Sequence, residues 1–140
     1  MADFLNAAEL AEVATNGLII KYEDFIIPEV NKVIRLRNMS GTTRVAWEQY
    51  TYEIKEVKGG KTVTSMRKDH DFRAGLIAFC ACDENFRSTF TEDDIDKIAD
   101  LPMEILAPLF TIACRLNGLY NQEEIIKNSG TDQKDNSSSG

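Results

Sequence analysis

Residues 83–94 carry acidic, amide and hydroxyl side chains at the alternating spacing of a calcium-binding loop between two helices. Such a loop needs an oxygen ligand at its fifth position, a glycine at its sixth and a bidentate glutamate at its twelfth. Arg87 and Ser88 stand at the fifth and sixth positions, and Asp94, which is shorter than glutamate, stands at the twelfth. These departures favour a capped loop between helices over a calcium site.

The three cysteines and the single histidine are the other candidates for a metal or nucleophilic site. Cys80 and Cys82 lie one residue apart without a second such pair, and Cys114 adds only one ligand, so the zinc patterns do not match. Their odd number and apolar, helical surroundings predict buried free thiols. His70 lies between two aspartates in a charged linker, where we expect a solvated side chain.

Glycine-rich phosphate loops and nucleophile elbows do not occur in the sequence. The acidic run at residues 92–96 starts a helix, and the helix dipole explains that charge without catalysis. We therefore expect a protein that is not an enzyme, with no catalytic residue, no metal site and no cofactor.

The length and the net charge of the chain disfavour some classes of binding partner. A chain of 140 residues is one domain by the usual size range, and its net charge of −7 disfavours nucleic acid and anionic membranes as partners. It starts with an acidic, amphipathic segment in place of a secretory signal, and its apolar runs are shorter than the ~20 residues that cross a bilayer. We expect a protein made and used in a cytoplasm.

The fold that positions the candidate side chains is predicted to be built around residues 72–118. A nearly all-apolar helix is predicted at residues 72–81. Thr91 and Asp94 have the spacing of a capping box, which predicts a helix over residues 91–100.

A further helix is predicted between Pro102 and Asn117. Asp100 is the predicted cap, and Gly118 is free to take the left-handed conformation that ends a helix.

This last helix has an unusually wide apolar surface. Such a surface belongs at the centre of a core or partly under another protein, and the central-core interpretation is favoured. Because a domain of this size has few other elements to bury the whole surface, we expect part of it to bind a partner. The predicted partner-binding residues are Ile105, Leu106, Leu109, Phe110 and Ala113.

The segments before residue 72 are predicted to form elements that pack against these helices. Residues 3–14 form an amphipathic pattern that predicts a short helix, and β-branched runs at residues 18–21 and 33–36 predict two short strands. Residues 42–64 fit a helix ending at a glycine pair, and they also fit a hairpin that turns at the same glycines.

Downstream, residues 121–128 predict a last short helix, and the polar composition from residue 129 onward predicts disorder. The predicted fold class is mainly α (α+β). It consists of one compact helical domain, residues 1–128, with a small N-terminal β element, followed by a disordered tail, residues 129–140.

The order of these elements resembles the tail assembly chaperone family of long-tailed bacteriophages. Three segments carry the resemblance, which spans residues 30–119: KVIRLRNMSGTTRVAWEQY ahead of a helix, the run FRAGLIAFCACDENFRSTFTEDDIDKIADLP, and a closing helix that ends in Leu116-Asn117-Gly118-Leu119. These segments contain no catalytic signature.

The resemblance implies a non-enzymatic, homo-oligomeric assembly factor that acts in the host cytoplasm and is absent from the mature virion. Its implied partners are the tape-measure protein, whose apolar helices it keeps from aggregating, and the tail-tube protein. A longer form made by ribosomal frameshifting is also implied. The alternatives are a structural head-tail connector or tail component, and a degenerate calcium-loop-like helical module.

Overall fold

The computed structural model describes residues 2–14, 19–67 and 71–119. His70, the predicted helix at residues 121–128 and the predicted tail at residues 129–140 lie outside the described residues. The described elements, in chain order, are α1 (Ala7–Ala14), β1 (Tyr22–Ile27), β2 (Lys32–Arg37), α2 (Gly41–Thr51), β3 (Tyr52–Val57), β4 (Lys61–Met66), α3 (Phe72–Cys80), β5 (Ala81–Cys82), a 3₁₀ turn (Glu92–Asp94), α4 (Ile95–Ala99) and α5 (Met103–Leu116).

The fold class predicted from the sequence, mainly α with a small N-terminal β element, is wrong. The described part is an α+β structure in which strands in two separate sheets account for 24% of residues and helices for 45%. The first sheet has the order β1-β2-β5, and the second consists of β3 and β4 alone. The predicted class did not count the second sheet, because residues 42–64 fitted both a helix and a hairpin and the choice between them was left open.

The first sheet begins as a hairpin that turns through residues 28–31. Asn31 has a φ of 52°, a left-handed conformation that asparagine tolerates, and Ile27 pairs with Lys32 across the turn. The second predicted strand is confirmed as β2, but residues 19–21, the described part of the first prediction, are not in a strand, and β1 begins at Tyr22. The turn and its pairing register, and not the β-branched run upstream, determine where β1 forms.

Residues 42–64 contain both of the predicted alternatives, one after the other. Ser40 caps α2, accepting a hydrogen bond from the Thr43 amide at 3.2 Å. The helix ends well before the glycines, because the backbone becomes extended at Tyr52 and continues into the β3–β4 hairpin. Gly59 and Gly60 both have positive φ and form the turn of that hairpin.

Helix α3 lies at the centre of the structure, packed against α2, α4 and α5. Leu76 and Ile77 are fully buried, which confirms the predicted buried helix. A β-carbon on Gly75 would lie 2.5 Å from the ring of Tyr50, so glycine allows α2 to approach α3 closely. At the start of the next helical segment, the Thr91 amide donates to Asp94 at 2.9 Å, as the predicted capping box requires.

The C-terminal end of α5 is fixed by Asn117. Its side-chain oxygen accepts from the Met39 amide at 2.7 Å, and its amide nitrogen donates to the Ala113 carbonyl at 2.9 Å and lies 3.2 Å from the Cys80 sulfur. Gly118 follows with a φ of 67°, as predicted. At the other end of α5 the residue preceding the helix is Pro102, so the predicted cap at Asp100 is wrong.

We expect Leu109→Ala to lower the free energy of unfolding by about 2–5 kcal/mol, because Leu109 is fully buried and its truncation leaves a cavity. Chemical denaturation measures this change. A loss below about 0.5 kcal/mol, which is typical of exposed sites, would contradict the core position of this side chain.

Asn117→Ala should destabilise the fold by about 1–3 kcal/mol, since it leaves the Met39 amide and the Ala113 carbonyl without this partner. Thermal or urea unfolding of both proteins provides the comparison. Equal stability would show that the hydrogen bonds of Asn117 are replaced by water without cost.

Candidate functional site

The partner-binding surface predicted on α5 is largely part of the core. Leu106, Leu109, Phe110 and Ala113 are all buried, and only Ile105 is half-buried. The core interpretation of this helix is therefore confirmed for those four residues, which the folded chain cannot present to a partner as it stands. Binding through the five residues together stays a prediction that would require α5 to open.

Large apolar side chains are exposed on elements outside this core. They fall on the segment that contains α1, on the β1–β2 hairpin with its turn, and on α2 with the β3–β4 hairpin. The most exposed on each are, in that order, Phe4, Leu5 and Leu10; Ile26, Val30 and Val33; and Val45, Ile54 and Val63.

Val45 and Ile54 of the third group border a cavity of about 450 Å³, which we call the hairpin groove. Val45 and Ile54 lie on its two sides with 52% and 74% of their surface exposed. The residues that line the hairpin groove are Val45, Glu48 and Gln49 of α2, Tyr52 and Ile54 of β3, and Thr64 of β4. These residues place an accessible apolar surface between a helix and a two-stranded sheet, which is a concave shape suited to another apolar segment.

The base of the hairpin groove is rigidly attached to the core. Trp47 is buried and contacts Tyr52 edge to face, with ring centroids 6.0 Å apart. The Arg67 amide donates to the Thr51 carbonyl at 2.8 Å, which joins the end of β4 to the end of α2. The Arg44 guanidinium lies 5.2 Å from the centre of the Trp47 ring. These contacts hold one end of the hairpin in place.

The rest of the β3–β4 hairpin has little support of its own. Its strands pair only with each other within the described part of the chain, and from Ile54 to Thr64 their side chains are exposed. A two-stranded sheet is marginally stable in water unless it packs against something else. A molecule that covered the groove would therefore stabilise the hairpin.

The hairpin is basic, in contrast to the chain as a whole. Residues 52–67 carry four basic and two acidic side chains, whereas the whole chain has a net charge of −7. Lys58 and Lys61 at the turn are exposed. Lys55 and Lys61 lie on the face of the hairpin opposite the groove, however, and the charged side chain that lines the groove is Glu48.

Asp83, the first residue of the loop that resembles a calcium site, has a structural role in that loop. Asp83 accepts hydrogen bonds from the amides of Asn85 and Arg87, at 2.8 and 3.1 Å, and these bonds lower the pKa of its carboxyl group. This carboxylate orders the loop that resembles a calcium site. No group of three metal-ligating side chains that could hold an ion occurs in the described ranges.

The three cysteines are buried free thiols, as predicted. Burial is the main reason why the pKa of Cys80 rises to about 12, and it also raises the pKa of Cys82. A thiol with such a pKa is almost entirely protonated at neutral pH, so it is a poor nucleophile.

We expect the native protein to react with Ellman's reagent at neutral pH far more slowly than the same protein unfolded in guanidinium. Both burial and the raised pKa of Cys80 suppress the thiolate. The absorbance of the released thionitrobenzoate follows the reaction. Rapid modification of one thiol in the native state would indicate that the α3–α5 region opens.

Sequence reasoning missed the hairpin groove as a site. The alternation of Tyr50, Tyr52 and Ile54 ahead of a two-glycine turn was visible, and it predicts a hairpin with one apolar face. A sequence cannot show that α2 lies beside this face, because that arrangement depends on where the helix ends.

The described residues define the class of structure as a small α+β domain with an accessible apolar groove. Of the helices in the described ranges, none is long and apolar enough to cross a membrane. No family model and no curated protein matches the chain. The chain is similar to the structure of the bacteriophage HK97 tail assembly chaperone, with 16% identity and a TM-score of 0.46 over 79% of this chain and 98% of that chain. A structural similarity at this level does not show that the chain belongs to the same family.

Proposed function

We propose that this protein is a non-enzymatic chaperone of bacteriophage tail assembly, which binds apolar helical segments of the tape-measure protein and helps to recruit tail-tube subunits. The sequence resemblance over residues 30–119 suggests the process and the partners. The observation that carries the binding role is the hairpin groove, where Val45 and Ile54 remain exposed beside a cavity of about 450 Å³.

The groove suits an amphipathic helix. Such a helix presents apolar side chains at intervals of three and four residues, and these can enter the space between α2 and β3. Tyr52 and Ile54 point to the same face of the hairpin because they are two residues apart in a strand. A bound helix would thus contact apolar side chains from both sides of the groove.

The remaining surface would keep the complex dispersed. A net charge of −7 makes copies of the complex repel one another, while the bound apolar segment is removed from water. The three cysteines are buried free thiols, and binding alone is the activity that we propose.

We expect Ile54→Asp to abolish capture of the tape-measure protein, since it places a charge in the apolar groove. Co-expression with the tape-measure gene, followed by pull-down and a solubility assay, measures both binding and protection from aggregation. Ile54 is 74% exposed, so the substitution spares the fold.

Val63→Asp is the matched control. Val63 lies on the same hairpin but pairs with Lys55 and points to the opposite face, so the same change in charge should leave capture intact. Ile105→Asp tests the half-buried position on α5. If the wild type neither binds nor solubilises the tape-measure protein, the proposed function is wrong; if only Ile105→Asp abolishes capture, the location is wrong.

A further inference from the structure

A second cavity adjoins α2, with a volume of about 270 Å³. We call it the loop pocket, because the segment that follows β5 forms one of its walls. Three elements line it: Thr42 and Ala46 belong to α2, Ala78 and Phe79 to α3, and Phe90 and Glu92 to the segment after β5. The loop pocket is smaller than the roughly 300–1,000 Å³ of a site for a whole small molecule, and its size suits an apolar side chain of a larger partner.

The loop pocket and the hairpin groove lie on opposite sides of α2. Ala46 of the loop pocket and Glu48 of the hairpin groove are two residues apart, which turns them about 160° from each other around the helix. Thr42, Val45 and Gln49 form the exposed ridge between the two cavities. An α-helix with its side chains is about 10–12 Å across, so the cavities are separated by about that distance.

The walls of the loop pocket are held in place by contacts within the chain. The Thr89 amide donates to the Ala81 carbonyl at 3.2 Å, which attaches the segment after β5 to the end of α3. On the side of the helices, the rings of Phe79 and Tyr50 pack with their centroids 5.8 Å apart. The loop pocket is therefore formed before a partner arrives, which lowers the cost of filling it.

The charged side chain that lines each cavity is acidic. Glu48 lines the hairpin groove and lies 3.4 Å from Arg44, in an exposed pair that contributes little. Glu92 lines the loop pocket, in a stretch, residues 91–100, with five acidic side chains and one basic side chain. This excess of negative charge favours an occupant with basic side chains beside its apolar ones.

On the basis of the proposed function, we infer that one basic, amphipathic helix of the tape-measure protein crosses α2 and places an apolar side chain in each cavity. Residues i and i+7 of an α-helix lie on one face about 10.5 Å apart, which matches the width of α2. One of these side chains enters the hairpin groove beside Ile54, and the other enters the loop pocket beside Phe90. A lysine or arginine next to the second one pairs with Glu92.

The two cavities together would make the site selective. A helix with one apolar side chain fills one cavity and leaves the other open to water, whereas a helix with two at the correct spacing fills both. The acidic Glu92 adds a charge requirement at one end, which disfavours acidic helices. Particular segments of the tape-measure protein would thus bind, in preference to apolar helices in general.

Capture of the tape-measure protein, measured by co-expression and pull-down, tests the role of the loop pocket. Thr42 is exposed at the rim of the pocket, so Thr42→Trp fills the pocket and spares the core. We expect this substitution to lower capture about tenfold, as the loss of one apolar anchor would. Gly41→Trp is the matched control, since Gly41 lies in the same turn outside the lining and a β-carbon there contacts nothing within 4 Å.

Glu92→Lys tests the charge requirement and should lower capture by a similar factor. Asp93→Lys is its control, because Asp93 lies in the same turn and does not line the pocket. Both controls should capture like the wild type, and circular dichroism checks that all four variants are folded. Amide hydrogen exchange of the wild-type complex needs no substitution, and it should slow in residues 83–92 together with β3.

Full capture by Thr42→Trp or by Glu92→Lys, equal losses in the two controls, or unchanged exchange in residues 83–92 would each overturn the inference. In those cases capture by the wild type still supports the proposed function. A wild type that captures no tape-measure protein overturns the proposed function, and the crossing helix with it.

Discussion

The burial of α3 is the constraint on which the rest of the structure depends. Nearly every side chain of this helix is buried, so it must be covered on several sides at once, and α2, α4 and α5 together provide that cover. Most of the wide apolar surface of α5 is buried in this packing, and Leu109 and Ala113 are fully buried. Exposed apolar side chains lie instead on elements that project from the core, among them the β3–β4 hairpin.

Asn117 connects the core to the N-terminal half of the chain. It bonds to Met39, which precedes α2, and to Ala113 within α5, and Gly118 then turns the chain out of the helix. The Leu-Asn-Gly ending that contributes to the sequence resemblance is thus explained by local geometry. An asparagine that both donates and accepts is required here, and the next residue needs a positive φ.

The centre of the fold was predictable from the sequence because its signals are local. The apolar pattern of α3, the capping box at Thr91 and the glycine at position 118 each specify a feature within a few residues. The fold class and the hairpin groove were not predictable, because both depend on the residue at which α2 ends and β3 begins. Residues near Tyr52 fit a helix and also fit a strand, and the contact between Trp47 and Tyr52 exists only once the chain has folded.

Under the proposed function, the hairpin groove and not α5 binds the tape-measure protein. Amide hydrogen exchange, followed by mass spectrometry on the free protein and on its complex with the tape-measure protein, measures this most directly. We expect exchange to slow in β3, β4 and α2 when the tape-measure protein binds, while exchange in α5 is slow in both states. Slower exchange confined to α5, with an unchanged hairpin, would contradict it.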